Sequence, residues 1–576
     1  MKNSVKKRGQ KFIKRFSRFS KVAEQEGKEH IKTKFFGRLS HIKNIKLLIL
    51  EWCLLISALI LLAVTQSIWL GNFYSTNTFV SGGSYMEGTV GKVNSLNPLF
   101  AVTDSEKALS RLLFSTLSTI DYSGHIAPGL AQSIHESEDG RTWTIRLRDG
   151  LKWSDGEPIT NEDVLFTTSL IKSVAVNSIY DTNLSNVRVS ESEDGNIVFS
   201  LPAVYADFDS ALIFPILPKH ILGEADPKTL IEHSFSNSPV TSGAFTFNAM
   251  QTPSTTEKIF YLSANPTYYK GKPLLNSFAI HTYDNKESLI SDLNAGKITA
   301  TAALSPAEKS LVTSSTIYEK QTSISSGVYA FLNTAKEPLK NKTLRQTIKR
   351  AIDIDSIRAA TDNKPALDYP LTDAQIKLNN YPATIGYDFE TAKTTIEASF
   401  GSEVYLSLAT VNSGYLPTVA DMIAENLRSI GLNVDVTVYS ENQDFVSSIV
   451  TKRNYDILLY EIDLGADPDL FAYYHSSQAS QSGLNLSNYK NSLIDDLILG
   501  ARETTSESLR LAKYESFLNY WVDDVPAIGL YRTNISYFYN KNVRTFSDES
   551  HMVSALDRFV NVETWASEKT TKNRTP

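Results

Sequence analysis

The sequence predicts a mixed α/β protein of at least two lobes, carried behind a single membrane-spanning helix. Three observations lead there. Residues 404–438 read as strand, helix, strand. Residues 287–304 repeat a helix-then-strand pattern. An uncharged apolar run, WCLLISALILLAVTQSIWL over 52–70, precedes both. A chain of 576 residues is also too long for one core, so two to four domains are expected.

The first 46 residues carry 15 Lys and Arg against 3 Glu, a balance of +12, and the rest carries 42 basic against 60 acidic residues, a balance of −18. The apolar run between them is long enough to cross ~30 Å of hydrocarbon as a helix. Trp52 and Trp69 stand near its ends, where aromatic rings favour the interface. Basic flanks stay inside, so residues 1–46 form a cytoplasmic tail, 47–70 the spanning helix, and the remainder lies outside the cytoplasm. A secretory signal would have a shorter basic region and a shorter apolar core. The single cysteine, Cys53, begins the run rather than following it, so lipidation there is not expected. Phe12, Phe16 and Phe19 recur among bases at helical spacing, as in an amphipathic helix lying on anionic lipid. The same bases already serve as the topology signal, so nucleic acid is not an expected partner.

Residues 71–79 read as a polar linker. Further on, GRTWTIRLRDGLKWSDGEPITNEDVLF, residues 140–166, gathers Asp149, Asp155, Glu157, Glu162 and Asp163. Such a cluster could be a catalytic or metal site, but each acid has a local task. Trp143, Ile145 and Leu147 alternate with polar residues, the period of a half-buried strand. Asp149-Gly150 and Asp155-Gly156 are turn dipeptides. Thr160 precedes Asp163 by three positions, the spacing of a capping box before an apolar helix.

The clearest unit lies late. Val404, Leu406 and Leu408 alternate in a strand. Val419, Met422, Ile423, Leu427 and Ile430 follow helical spacing, and Gly431 stands where a helix C-terminal glycine belongs. Val434, Val436 and Val438 then mark a second strand, so a right-handed βαβ unit with parallel strands is expected. YDILLY, 455–460, reads as another buried strand. Ligands of open parallel sheets bind beyond the carboxyl ends of strands. That directs attention to the loops at Asn412-Ser413-Gly414 and Glu461-Ile462-Asp463. Tyr460, Tyr329, Asn485 and Tyr489 are secondary candidates. The last eleven residues, 566–576, are polar and read as disordered.

No phosphate-binding GxxxxGK[ST], no HExxH, no CxxC and no GxSxG occurs, and the nine His are scattered. Neither a metal site nor a cofactor is expected, and the chain is not read as an enzyme.

The 140–166 stretch belongs to a longer block. RLLFSTLSTIDYSGHIAPGLAQSIHESEDGRTWTIRLRDGLKWSDGEPITNEDVLFT resembles the signature region of the bacterial family 5 extracellular solute-binding proteins, the oligopeptide-, dipeptide- and nickel-type receptors of ABC importers. EGTVGKVNSLNPLF (87–100), SPVTSGAFTF, LSANPTYYKGKPLLNSF, VYAFLNTAKEPLKNKTLRQTIKRAIDIDSI, ADMIAENLRSIGLNVDV and DPDLF follow the family's order over about residues 82–565. Ala244 and Phe245 depart from the usual residues of their block. The resemblance implies a bilobed periplasmic-binding-protein-like fold that closes on a ligand without chemistry and hands it to a permease. It implies a first lobe over 80–322 with an inserted subdomain near 116–235, a second lobe over 323–525, and a return over 526–565. Hinges are then expected at 328–333 and 527–531.

In peptide-binding members an Asp just before a DPD-like block pairs with the peptide amine. Here Asp463 matches best, one residue further away than usual, and Asp467 is the fallback. Glu87, which opens the family's entry segment, joins the list. The implied function is a monomeric, membrane-anchored receptor that delivers oligopeptides to ABC permease and ATPase subunits. Its alternatives are a non-peptide solute (nickel chelate, sugar or siderophore) or a peptide sensor without transport. An anchoring helix departs from the usual lipid-anchored or free members, which leaves the compartment open between an outer cell face and a periplasm.

Overall fold

The computed structural model describes residues 46–573, apart from 185, 305, 363, 374, 402, 441–444, 482 and 548–550. The basic tail and its expected amphipathic helix lie outside the described residues. The chain divides into two units, residues 1–78 with 569–576, and residues 79–568.

The first unit holds helix α1 (Lys46–Tyr74). Its segment Ile49–Gln66 is long and apolar enough to cross a membrane and none of it is buried. In place of the expected linker, the helix continues to Tyr74 and a strand follows, Ser75–Val80, paired with Glu568–Asn573 from the terminal segment read as disordered. Backbone pairing needs no apolar pattern, so composition does not reveal these strands.

The second unit is built on one ten-stranded sheet. Its strands are β1 (Ser84–Val90), β2 (Phe245–Ser254), β3 (Glu257–Ala264), β4 (Ser277–Tyr283), β5 (Ala300–Thr301), β6 (Ile317–Leu332), β7 (Tyr405–Val411), β8 (Asn433–Tyr439), β9 (Ile457–Asp463) and β10 (Ala527–Asn540), in the spatial order 8-7-9-6-10-5-1-4-3-2. The expected βαβ unit is present. β7 and β8 pair in parallel, Leu406 opposite Val434. The helix between them, Leu416–Ser429, buries Val419, Ile423 and Leu427. Gly431 follows its last turn with φ +101°, a conformation that only glycine adopts freely.

Two apolar cores flank the sheet. One draws on Tyr85, Trp153, Phe278 and Trp565 among others, the second on Tyr329, Leu408, Ile457 and Leu530. They are the two lobes. The long antiparallel strands β6 and β10 pass from one to the other. Their register breaks between Ser323–Asn534 and Gly327–Arg532. Residues 328–332 and 527–531 already belong to the second core, so the crossing falls at 323–327 and 532–534, not where hinges were expected. Ser325, in the break, donates its N–H to Val553 O at 3.0 Å and accepts Leu464 N–H at 2.7 Å. The broken ladder bonds are thereby replaced rather than left open.

Residues 131–200 carry a separate four-stranded antiparallel sheet, Ala131–Glu136, Thr142–Leu147, Ile197–Ser200 and Arg188–Glu191 in spatial order. Trp143 and Ile145 face its core, as their alternation predicts. Two acids of this stretch, Asp155 and Asp163, do the local work expected of them. Asp163 caps helix Asn161–Ile171, accepting the Thr160 N–H at 2.8 Å. Its other oxygen accepts the Lys219 N–H at 2.8 Å, and Trp153 Nε1 lies 3.4 Å from the carboxylate. Asp155 accepts the Glu157 N–H at 3.2 Å and contacts His220 Nε2 at 2.8 Å.

Candidate functional site

β9 ends at Asp463, beside the parallel strand β7, and the chain turns there into a loop fixed by its own polar groups. Gly465 N–H donates to Asp463 Oδ1 at 2.9 Å, Asp469 N–H to Asp467 Oδ1 at 3.1 Å, and Phe471 N–H to Asp469 Oδ1 at 3.0 Å. Gln375 Nε2 clamps the loop from outside, donating to Leu464 O at 2.8 Å and Asp467 O at 2.7 Å. The loop therefore presents its carboxylates from a rigid frame.

It faces a cavity of about 460 Å³ between the lobes. Asp463, Ala466 and Asp467 form the second-lobe wall. The first lobe contributes Lys107 and Arg111 from helix α2 (Asp104–Leu113), and Asp557 from the return segment. Phe114, Ile120, Ile179, Ile213 and Leu556 supply apolar wall. The volume is within the ~300–1,000 Å³ that holds small ligands, and apolar walls with a few converging charges are the usual make-up of such sites. Burial pushes the Asp463 carboxyl above its ordinary range, and the Asp557 and Glu461 carboxylates add to this, while Lys107 pulls it back.

Asp467 is placed differently. Its Oδ2 accepts Ser210 Oγ–H at 2.8 Å and Tyr205 O–H at 3.0 Å, both from the first-lobe side. Around this contact Arg510 pairs with Asp207 at 3.0 Å, Ala206 N–H donates to Arg502 O at 3.0 Å, and the Arg502 guanidinium lies 4.7 Å from the Tyr205 ring centre. The lobes thus meet along a polar seam at the cavity's edge. Burial outweighs the pull of Arg510 and pushes the Asp207 carboxyl up to about 7. Asp209 and Asp469 are raised too, chiefly by burial.

The remaining sequence candidates do not gather here. Glu461 lies two residues before Asp463 and accepts Ser326 Oγ–H at 2.7 Å. Tyr460 packs against the second core, its ring 5.9 Å from that of Phe445. Asn412 is exposed beyond β7, with its N–H on Tyr439 O at 2.8 Å. Tyr329 is fully buried, donating to Tyr369 O at 3.1 Å. Asn485 is buried and closes a turn, donating to Tyr489 O at 2.8 Å and accepting Tyr489 N–H at 3.1 Å. Tyr489 in turn bonds Asp524. Glu87 is buried against Arg558. Four of these side chains share one reason for standing apart from the cavity. Tyr329, Asn485, Tyr489 and Glu87 spend their polar groups on the protein's interior, which leaves no face for a ligand.

Lys107, Arg111, Tyr205, Ser210 and Asp557 were not anticipated. They stand on separate segments, and the contact of Ser210 with Asp467 spans 257 positions. The one local signal was the capping box of α2, where Thr103 and Glu106 satisfy each other's backbone N–H groups. A larger recess of about 710 Å³ opens beside Asp557. Its cations are engaged: Lys320 donates to Phe546 O at 2.7 Å, Arg544 to Thr564 O at 3.0 Å, and Arg558 to Glu87. The smaller cavity between the lobes is therefore the better ligand site.

The family model of bacterial extracellular solute-binding proteins, family 5 Middle, matches residues 125–483. Among relatives, the oligopeptide-binding protein AppA of Bacillus subtilis is 25% identical over 482 residues, covering 79% of this chain and 87% of its own. The periplasmic oligopeptide-binding protein OppA of Escherichia coli is 26% identical over 467 residues, covering 73% and 82%. Among solved structures, the ABC transporter substrate binding protein CtaP of Listeria monocytogenes superposes with a TM-score of 0.74 at 25% identity, over 85% of this chain and all of that one. AppA of Bacillus subtilis in complex with a nonapeptide superposes with a TM-score of 0.67 at 22% identity, over 85% and 99%.

Proposed function

The chain belongs to the bacterial extracellular solute-binding proteins, family 5, and from that premise we propose that it captures peptides between its lobes and delivers them to an ABC importer. It performs no chemistry on them. The observation that carries this reading is Asp463. Its carboxylate stands at the end of a sheet strand, in a cavity between lobes, and its Oδ2 has no partner among the described residues. A peptide ammonium meeting it would form a charge-assisted hydrogen bond. Relatives named as oligopeptide-binding proteins support the ligand class. Side-chain pockets with apolar walls and main-chain pairing would tolerate many sequences.

Helix α1 anchors the protein, with residues 1–46 in the cytoplasm and the lobes outside it, facing a permease and its ATPases. The basic tail adds attraction to anionic lipid, and the receptor acts as a monomer. Closure follows when a ligand touches both lobes and so favours the closed state.

Native mass spectrometry of the lobes, about residues 79–568, after mixing with a peptide digest tests the reading. Captured peptides that are lost in Asp463→Ala support both the function and its anchor. Capture that survives Asp463→Ala removes the anchor. An empty cavity under every peptide mixture sinks the function, and a captured nickel chelate or opine would replace the ligand class.

A further inference from the structure

The charges around the cavity do not cancel pair by pair. Asp467 is engaged by Tyr205 and Ser210. Asp557 accepts the Ser554 N–H at 2.7 Å and its hydroxyl at 3.1 Å, and lies 3.6 Å from Arg111. Arg111 also donates to Thr119 Oγ1 at 3.3 Å. Two opposite charges remain. Asp463 on the second lobe and Lys107 on the first both line the cavity, and neither forms an ion pair among the described residues.

Lys107 is held where it is. Helix α2 starts at Thr103, and the buried Glu106 next to Lys107 accepts N–H groups from Asn94, Val102 and Thr103 at 2.8, 2.9 and 3.0 Å. The ammonium is presented by a pinned first turn, half-buried, with no counter-charge in contact. A partly buried charge of this kind is costly unless an opposite charge reaches it.

We propose that Lys107 receives the carboxylate end of the ligand whose ammonium end Asp463 holds, so that the cleft selects short peptides with both termini free. The proposal rests on the peptide reading above and narrows it. A cavity of about 460 Å³ is ~10 Å across if treated as a sphere, and an extended chain covers at most ~3.6 Å per residue, so two or three residues reach from wall to wall. The seam at Ser210 and Asp467 borders the same cavity and limits a longer ligand on that side. Phe114, Ile120, Ile213 and Leu556 then receive an apolar side chain from within the peptide. A ligand held this way joins the two lobes through one charge on each, which couples recognition to closure. The pull of Lys107 on the Asp463 carboxyl is the electrostatic sign that the two groups share one space.

The test uses the purified full chain in detergent and three tripeptide libraries: free at both ends, C-terminally amidated, and N-acetylated. Capture is read by native mass spectrometry and affinity by calorimetry on the retained peptides. The wild type should prefer free acids over amides by about tenfold, the order of one charge-assisted contact. Lys107→Met should bring acids and amides within about twofold of each other, and Lys107→Arg should restore the preference, because it restores the charge. The ratio of acid to amide binding is read within each variant, so a general loss of stability does not imitate the effect. Equal binding of acids and amides by the wild type overturns the role of Lys107, as does a preference that persists in Lys107→Met. A hexapeptide library captured as well as the tripeptides overturns the length limit. Either result leaves the peptide receptor standing, whereas no capture from any library removes the premise itself.

Discussion

Arg558 donates two hydrogen bonds to one oxygen of Glu87, at 2.6 and 3.0 Å, across 471 positions of the chain. Tyr537 donates to the other oxygen at 2.7 Å, and Tyr85 approaches the Tyr537 hydroxyl at 2.6 Å. Strand β1, strand β10 and the turn Ala555–Phe559 are thereby joined inside the first core. Removing one partner of a buried pair leaves the other charge stranded. Glu87→Gln or Arg558→Met should each lower stability by about 3–5 kcal/mol, and replacing both by Met should lower it by less than the two losses combined. Urea denaturation of the three variants checks this. An additive double variant would show that the two side chains act independently.

With Asp463 holding the peptide ammonium, as proposed above, this residue should set the pH dependence of binding. Burial, with Asp557 and Glu461 nearby, raises its carboxyl above the usual range. An ammonium ligand requires the ionised form. Affinity should be full above the raised pKa and decline as pH falls through it, at a less acidic pH than an ordinary Asp near ~3.9 would give. Asp463→Asn should weaken binding by about tenfold or more and abolish that slope. Calorimetry across the acid range would show a retained slope if another group were responsible.

The polar seam should slow escape of a bound ligand. Tyr205→Phe with Ser210→Ala removes both donors to Asp467 while leaving the loop's backbone bonds in place. Bonds to a charged acceptor are worth ~1.5–3 kcal/mol each at most. Dissociation should accelerate by roughly tenfold, and the ligand-free protein should expand in solution scattering. An unchanged dissociation rate would mean that the seam does not resist opening.

Asp207 makes the seam weaken as pH rises from acid towards neutral. It faces Arg510, Asp467, Asp209 and Asp469, and burial raises its pKa from 3.8 to about 7. A carboxyl whose folded pKa exceeds its unfolded value contributes stability that is fully present below about 4 and is lost as pH rises through about 7. Thermal midpoints should therefore fall over that window, and Asp207→Asn should flatten part of the fall. A variant curve parallel to the wild type would assign the slope to another group.

How much of this was legible differs by element, for physical reasons. The βαβ unit at Tyr405–Tyr439 announces itself because a period of two abuts a period of 3.6, with a glycine between helix and strand. The helix cap at Asp163 is equally local. The crossing between lobes is not, because Ile317–Leu332 runs on as one strand through the register break, without a change of composition. Half of the cavity could be anticipated, since Asp463 ends a sheet strand and Asp467 stands in the block that resembles the family's DPD segment. Lys107 and Ser210 meet that loop only through tertiary folding. Asn485 and Tyr489 mislead because a polar side chain bonded in the interior is spelled like one awaiting a ligand.

The path of β10 also orders events during synthesis. The second lobe is drawn from one continuous run, about residues 328 to 531, and can be complete once that run has emerged. The first lobe begins about 240 residues earlier, yet its core includes Ile535, Tyr537, Phe559 and Trp565. Until those residues appear, the Glu87 carboxylate has no guanidinium and Tyr85 lacks the Trp565 ring it packs against. The lobe that begins first is therefore the last to close, and residues 535–565 carry the instruction that finishes its beginning.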